Sequence, residues 1–174
     1  WDKGVAEYVE AARRIKVIHP SACFQILGPT RVENPTAISR KQLEDWDREG
    51  VIDYLGTTDD VRRYIAGAHC VVLPSYREGT PRSLLEAAAI GRPIIATDTA
   101  GCRDVIEDGV NGYLCKLRDA KDLAEKIELL ISNEELRKTL SRKSLERVKQ
   151  LPDYKEVTLE TLDIMFDISS KPIG

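Results

Sequence analysis

Between Cys70 and Asp98 the sequence reads "CVVLPS", then "REGTPRSLLEAAAIGR", then "PIIATD". Two short runs, apolar at their centres, flank a helical segment that Gly91 and Pro93 bring to a stop. A strand this apolar suits cover on both faces, and a helix between two such strands joins them as parallel neighbours. The same alternation continues in both directions. Upstream, Val5, Tyr8, Val9, Ala12 and Ile15 predict an amphipathic helix over about 4–18, and "ACFQILG" a strand. Ser39 with Gln42 three residues on is a capping box opening a helix to about Glu49. "VIDYLG" follows as a strand, then a short helix over 59–66 capped by Thr58 or Asp59. Downstream, "GVNGYLC" turns into a fifth strand and Asp119 opens a helix to about Ser132. Two more helices, 134–150 and 154–168, are divided by Pro152. "EELRKTLSRKSLERVKQ" is expected to be a solvated outer face, and polar "SSKPIG" a frayed end. The order predicts an α/β fold, a Rossmann-like parallel sheet with helices on both faces.

At 174 residues, 42% hydrophobic and 32% charged, the chain fits one globular domain. A net charge of −3 supplies no basic field, so no nucleic-acid partner is expected. No apolar stretch approaches the roughly 20 residues that span a bilayer. Cys23, Cys70, Cys102 and Cys115 form no C-x-x-C pair and read as small hydrophobes in a reducing, cytoplasmic setting. The opening "WDKG" has no starting Met and reads as the start of a fragment.

Chemistry concentrates after "CVVLPS", because ligands of open α/β sheets bind beyond the carboxyl ends of the strands. Glu78 and Gly79 stand in that loop. Thr80 suits the N-cap and Pro81 the first helical position, which leaves the N–H groups of Arg82 and Ser83 at the positive end of the helix dipole. An anion is favoured there, and Gly79 lets it approach the backbone. Glu86, one and a half turns in, is the only charge among leucines and alanines. Its two oxygens match the two donors of a vicinal diol such as a ribose. Pairing with a core Arg, or capping a neighbouring helix, accounts for Glu86 equally well. His19 and His69 read as structural.

"PSYREGTPRSLLEAAAIGRPIIATDTAGCRDVIEDGVNGYLC" resembles the nucleotide-binding half of glycosyltransferase family 4, enzymes of the GT-B fold. Glu78 and Glu86 match its E-x7-E motif, and Gly91, Pro93, Gly101, Gly109 and Gly112 its punctuation. The resemblance implies a lysine on the donor phosphates at Lys3, and a base-holding loop at Thr57 and Thr58. With the helix-start reading above, donor contacts are expected at Gly79, Thr80, Arg82, Ser83 and Glu86, with Glu78 as the catalytic carboxylate beside the donor sugar. The wording is closest to transferases that build capsular, O-antigen or lipid-linked oligosaccharides. A sugar would pass from a nucleotide diphosphate, a UDP-sugar by the same resemblance, to a glycan or lipid-linked acceptor with retention at the anomeric carbon. Neither a cofactor nor a metal is expected, since Lys3 and the helix N–H groups would balance the leaving diphosphate. The family's arginine before the lysine and its acceptor domain are not in this sequence. Residues 1–174 are therefore expected to be a single donor-binding domain, inactive alone. The whole protein is expected in the cytoplasm, peripheral at most to the inner membrane face. A UDP-sugar epimerase of the same fold and a non-catalytic nucleotide-binding module are the alternatives.

Overall fold

The computed structural model describes residues 3–29 and 38–151. Pro152, the expected helix 154–168 and "SSKPIG" lie outside the described residues. The elements alternate as the sequence predicts: α1 (Val5–Ile18), β1 (Gln25–Ile26), α2 (Arg40–Arg48), β2 (Asp53–Tyr54), α3 (Arg62–Gly67) and β3 (Val71–Leu73). They continue with α4 (Arg82–Ala89), β4 (Ile94–Thr97), α5 (Ala100–Val105), β5 (Gly112–Cys115), α6 (Ala120–Ser132) and α7 (Glu134–Val148). Among the described residues every strand pairing is parallel. The strands form two sheets, β1–β2 and β3–β4–β5.

Alternating side chains of the larger sheet feed two apolar cores, which is how a parallel sheet is covered on both faces. Ile95 and Cys115 face one core, with Val9, Ala12 and Ile15 of α1 and Leu123 and Ile127 of α6. Ile94 and Ala96 face the other, with Leu84, Leu85, Ala87 and Ala88 of α4 and Val105 of α5. Phe24, Leu43, Trp46 and Ile52 extend the first core beneath β1 and β2.

Four expectations need correction. The strand buried along its whole length is β4, whereas β3 is half-buried throughout because it borders its sheet. Helix α3 starts at Arg62, not near Asp59. Asp60 accepts from both the backbone N–H (3.1 Å) and Nε (2.7 Å) of Arg62, and the Thr58 hydroxyl closes a turn onto Asp60, so neither Thr58 nor Asp59 caps the helix. Helix α7 is not only an outer face: Leu140, Ser144 and Val148 form a buried stripe, and Ser144 donates to the carbonyl of buried Asn111 at 2.8 Å. Of the four cysteines, all unbonded to one another, Cys102 and Cys115 are buried but Cys23 is exposed. The Ser39 cap of α2 is present, its hydroxyl accepting from the Gln42 N–H at 3.2 Å. No helix among the described residues is long and apolar enough to cross a membrane.

Candidate functional site

The carboxyl ends of β3 and β4 lead into the loops that build the site. An open cleft of about 410 Å³ is lined by Tyr76, Arg77, Glu78, Gly79, Thr99 and Ala100. Close backbone contacts at two glycines hold the segments around it. A Cβ on Gly101 would stand 1.8 Å from the carbonyl oxygen of Gly79, so α5 bears directly on the backbone of the Glu78–Gly79 loop. Gly4 has φ +63°, and a Cβ there would meet the Pro74 carbonyl oxygen at 2.0 Å. The start of α1 is thereby pressed against the first residue after β3.

That close approach brings Lys3 to the loop. Its Nζ lies 2.6 Å from Oε1 of Glu78, the lysine side chain 68% exposed and the glutamate 16%. The two residues expected at opposite ends of a donor, its phosphates and its sugar, are thus paired with each other. Sequence offers no sign of this pairing across 75 positions.

At the other end of the loop, the N-cap of α4 is Pro81 and not Thr80. Proline's extended ψ of 119° turns the chain into the helix one residue later than expected, and the Thr80 hydroxyl reaches Asp104 of α5 at 3.3 Å instead of capping. Arg82 and Ser83 still form the first turn, with backbone N–H groups directed out of the helix start as in any helix. Glu86 is part-buried, 14% exposed at its side chain, and Arg82 of its own helix pairs with it at 3.2 Å. Arg82 is itself 65% exposed, so Glu86 has neither a core arginine nor a neighbouring helix end in this pair. Thr57 is exposed and Thr58 part-buried in the loop that leads to α3, and α3 packs against α4. Lys3, Glu78 and Gly79 are therefore gathered at the cleft, while Glu86 stands on α4, and Thr57 and Thr58 on the loop before the helix beside it.

Three residues at this edge were not expected. Tyr76 donates to Glu7 of α1 at 2.5 Å, and the Arg118 guanidinium lies 4.9 Å from its ring centroid. Burial, and then the Glu7 carboxylate, push the Tyr76 phenol up to about 12. Tyr76 lies in the "PSYREG" run, but its partners come from distant positions. The one Asp-x-Asp in the sequence, Asp45-Trp46-Asp47, is structural: Asp45 accepts from Arg48 at 2.9 Å and Asp47 from the Tyr54 N–H at 3.0 Å. No group of three or more His, Cys, Asp or Glu residues able to hold a metal gathers among the described residues.

Residues 1–147 match the family described as Glycosyl transferases group 1. A relative from Campylobacter jejuni, N,N'-diacetylbacillosaminyl-diphospho-undecaprenol alpha-1,3-N-acetylgalactosaminyltransferase, is 38% identical over 150 residues. The match covers 86% of this chain but only 38% of that protein. Staphylococcus aureus TarM, solved with fondaparinux, alpha-GlcNAc-glycerol and UDP, superposes with a TM-score of 0.77 at 27% identity, over 96% of this chain and 33% of TarM. The C-terminal domain of the group 1 glycosyl transferase LpcC from Francisella tularensis gives 0.75 at 26% identity, over 85% of this chain and 78% of that domain. The fold is accordingly that of the C-terminal half of GT-B glycosyltransferases.

Proposed function

The chain belongs to the group 1 glycosyl transferases, and from that premise we propose that it is the donor-binding domain of a retaining, family 4 transferase that uses a UDP-sugar. The acceptor would be a glycan or lipid-linked saccharide in surface polysaccharide synthesis, bound through a second domain of the whole protein, in the cytoplasm. The observation that carries this reading is the meeting of Lys3 with Glu78 at the rim of the cleft, beside the start of α4. The Lys3 cation, the Glu78 carboxylate and a helix N-terminus close by suit a ligand with a diphosphate at one end and a sugar at the other. Support comes also from the Campylobacter relative, whose name specifies hexosamine transfer to a lipid-linked sugar, and from TarM, solved with UDP.

In this mechanism the bond between the donor's anomeric carbon and the diphosphate oxygen lengthens toward an oxocarbenium ion. Negative charge grows on the leaving diphosphate, where Lys3 and the Arg82 and Ser83 N–H groups stabilise it. Glu78 holds sugar hydroxyls and favours the positive charge developing on the ring. Glu86 binds the ribose diol, exchanging its Arg82 contact for two hydroxyl donors, and the Thr57–Thr58 loop holds the base. Calorimetry of the chain with UDP, GDP and ADP tests the assignment, with UDP expected to bind most tightly. Tighter binding of GDP or ADP overturns the uridine assignment. For the whole protein, NMR of the product should show the anomeric configuration of the donor kept, and inversion would refute the mechanism.

A further inference from the structure

Tyr76 stands two residues before Glu78, and its hydroxyl donates at 2.5 Å to Oε1 of Glu7, one helical turn beyond Lys3. The other carboxylate oxygen of Glu7 is buried and has no hydrogen-bond partner among the described residues. A carboxylate so placed relies on the phenol it does have. The phenol, held at about 12, remains the donor at every ordinary pH. Arg118 covers the ring, and it is the one described non-glycine residue with a positive φ, 55°. The start of α1 and the 74–80 loop are thus fastened at three points. Gly4 bears on Pro74, Glu7 binds Tyr76, and Lys3 pairs with Glu78. The first two place the backbones from which Lys3 and Glu78 project.

We infer that Tyr76, anchored by Glu7, is a positioning residue that sets the distance between Lys3 and Glu78, and thereby lets the site distinguish an intact sugar nucleotide from a bare one. The inference rests on the donor-site reading above. In an intact donor the diphosphate and the sugar are covalently joined, so both ends must be met at a fixed separation. Free UDP needs only the phosphate end. Loosening the Tyr76–Glu7 bond therefore weakens the intact donor while UDP is spared.

The test is calorimetry with UDP and with the tightest-binding of UDP-glucose, UDP-N-acetylglucosamine and UDP-N-acetylgalactosamine, on the chain and on Tyr76→Phe, Glu7→Ala and Glu7→Gln. Amide hydrogen exchange at residues 77–80 is followed alongside, with no nucleotide present. Tyr76→Phe and Glu7→Ala should each lower the ratio of sugar-nucleotide to UDP affinity about five- to tenfold, the effect of one hydrogen bond. Exchange at 77–80 should quicken by about tenfold in both. Glu7→Gln, whose amide oxygen accepts the same bond, should restore both readouts, and the double variant Tyr76→Phe with Glu7→Ala should be no worse than either single one. A Tyr76→Phe protein that melts earlier but keeps its affinity ratio and its exchange rates overturns the inference. A chain that binds no UDP or no sugar nucleotide instead overturns the donor-site reading, and exchange with its Glu7→Gln rescue then decides the positioning role alone.

Discussion

Replacing Glu78 by Gln should move two ligands in opposite directions. The Glu78 carboxylate is the counter-charge of Lys3, at 2.6 Å. A diphosphate that takes Lys3 must first displace it. Because the Lys3 side chain is 68% exposed, this pair belongs with surface ion pairs and not with buried ones. Such pairs contribute about 0.2–1 kcal/mol. Glu78→Gln removes the competitor, so UDP should bind more tightly by that amount, about 1.4- to fivefold in Kd. The intact donor meets Glu78 at its sugar and should lose a charged hydrogen bond of about 1.5–3 kcal/mol, a net weakening. Calorimetry on wild type and variant, with UDP and a UDP-sugar at two salt concentrations, reads both effects. The gain for UDP should shrink at high salt, since added ions screen the Lys3–Glu78 competition in wild type. Equal weakening of UDP and UDP-sugar would refute the argument, for it would make Glu78 a plain determinant of the nucleotide pocket.

Three further outcomes follow from the geometry. Glu86→Gln should weaken UDP and UDP-sugar alike by about 1.5–3 kcal/mol with an unchanged melting temperature; lost stability at unchanged affinity would reassign Glu86 to the pair with Arg82. Gly101→Ala puts a methyl group into the Gly79 carbonyl and should destabilise the chain by about 1–3 kcal/mol in denaturant titration; a neutral result would show that the 78–79 loop yields freely. A thiol reagent should modify Cys23 in the native protein and spare Cys115, whose thiol burial pushes up to about 12, until unfolding; simultaneous modification of both would mean the first core opens readily.

The sequence carried the element order because strand and helix periods, caps and glycine stops are local signals. The alternation around Ile94, Ile95 and Ala96 was legible for that reason, and so was the Ser39 cap. Local chemistry misled wherever a polar side chain had more than one possible partner. Thr80 could cap α4 but bonds Asp104, and Thr58 could cap α3 but folds back on Asp60. The α7 stripe was masked by dense charge, because only every fourth residue of it is buried. Within the site, Glu78 and Gly79 were readable from one loop. The pairing of Lys3 with Glu78 and of Glu7 with Tyr76 was not, since each depends on how α1 lands against the end of β3. That landing is decided by a backbone contact at Gly4, which no pattern of side chains encodes.

The division of the strands into two sheets has a mechanical meaning. Among the described residues β1 is bonded only to β2 and β3 only to β4, so no hydrogen-bonded ladder crosses from one sheet to the other. The junction is made by side chains, with α1 as its splint. Gly4 braces the end of β3, and Tyr8 lays its ring on Phe24 while its hydroxyl donates to the Gln25 carbonyl of β1. Between the sheets the domain is held by the packed side chains of one continuous core, whereas within each sheet it is held by a ladder. Lys3, the partner of Glu78, stands at the head of that splint. The position of the Lys3 ammonium beside Glu78 therefore depends on how α1 packs across both sheets.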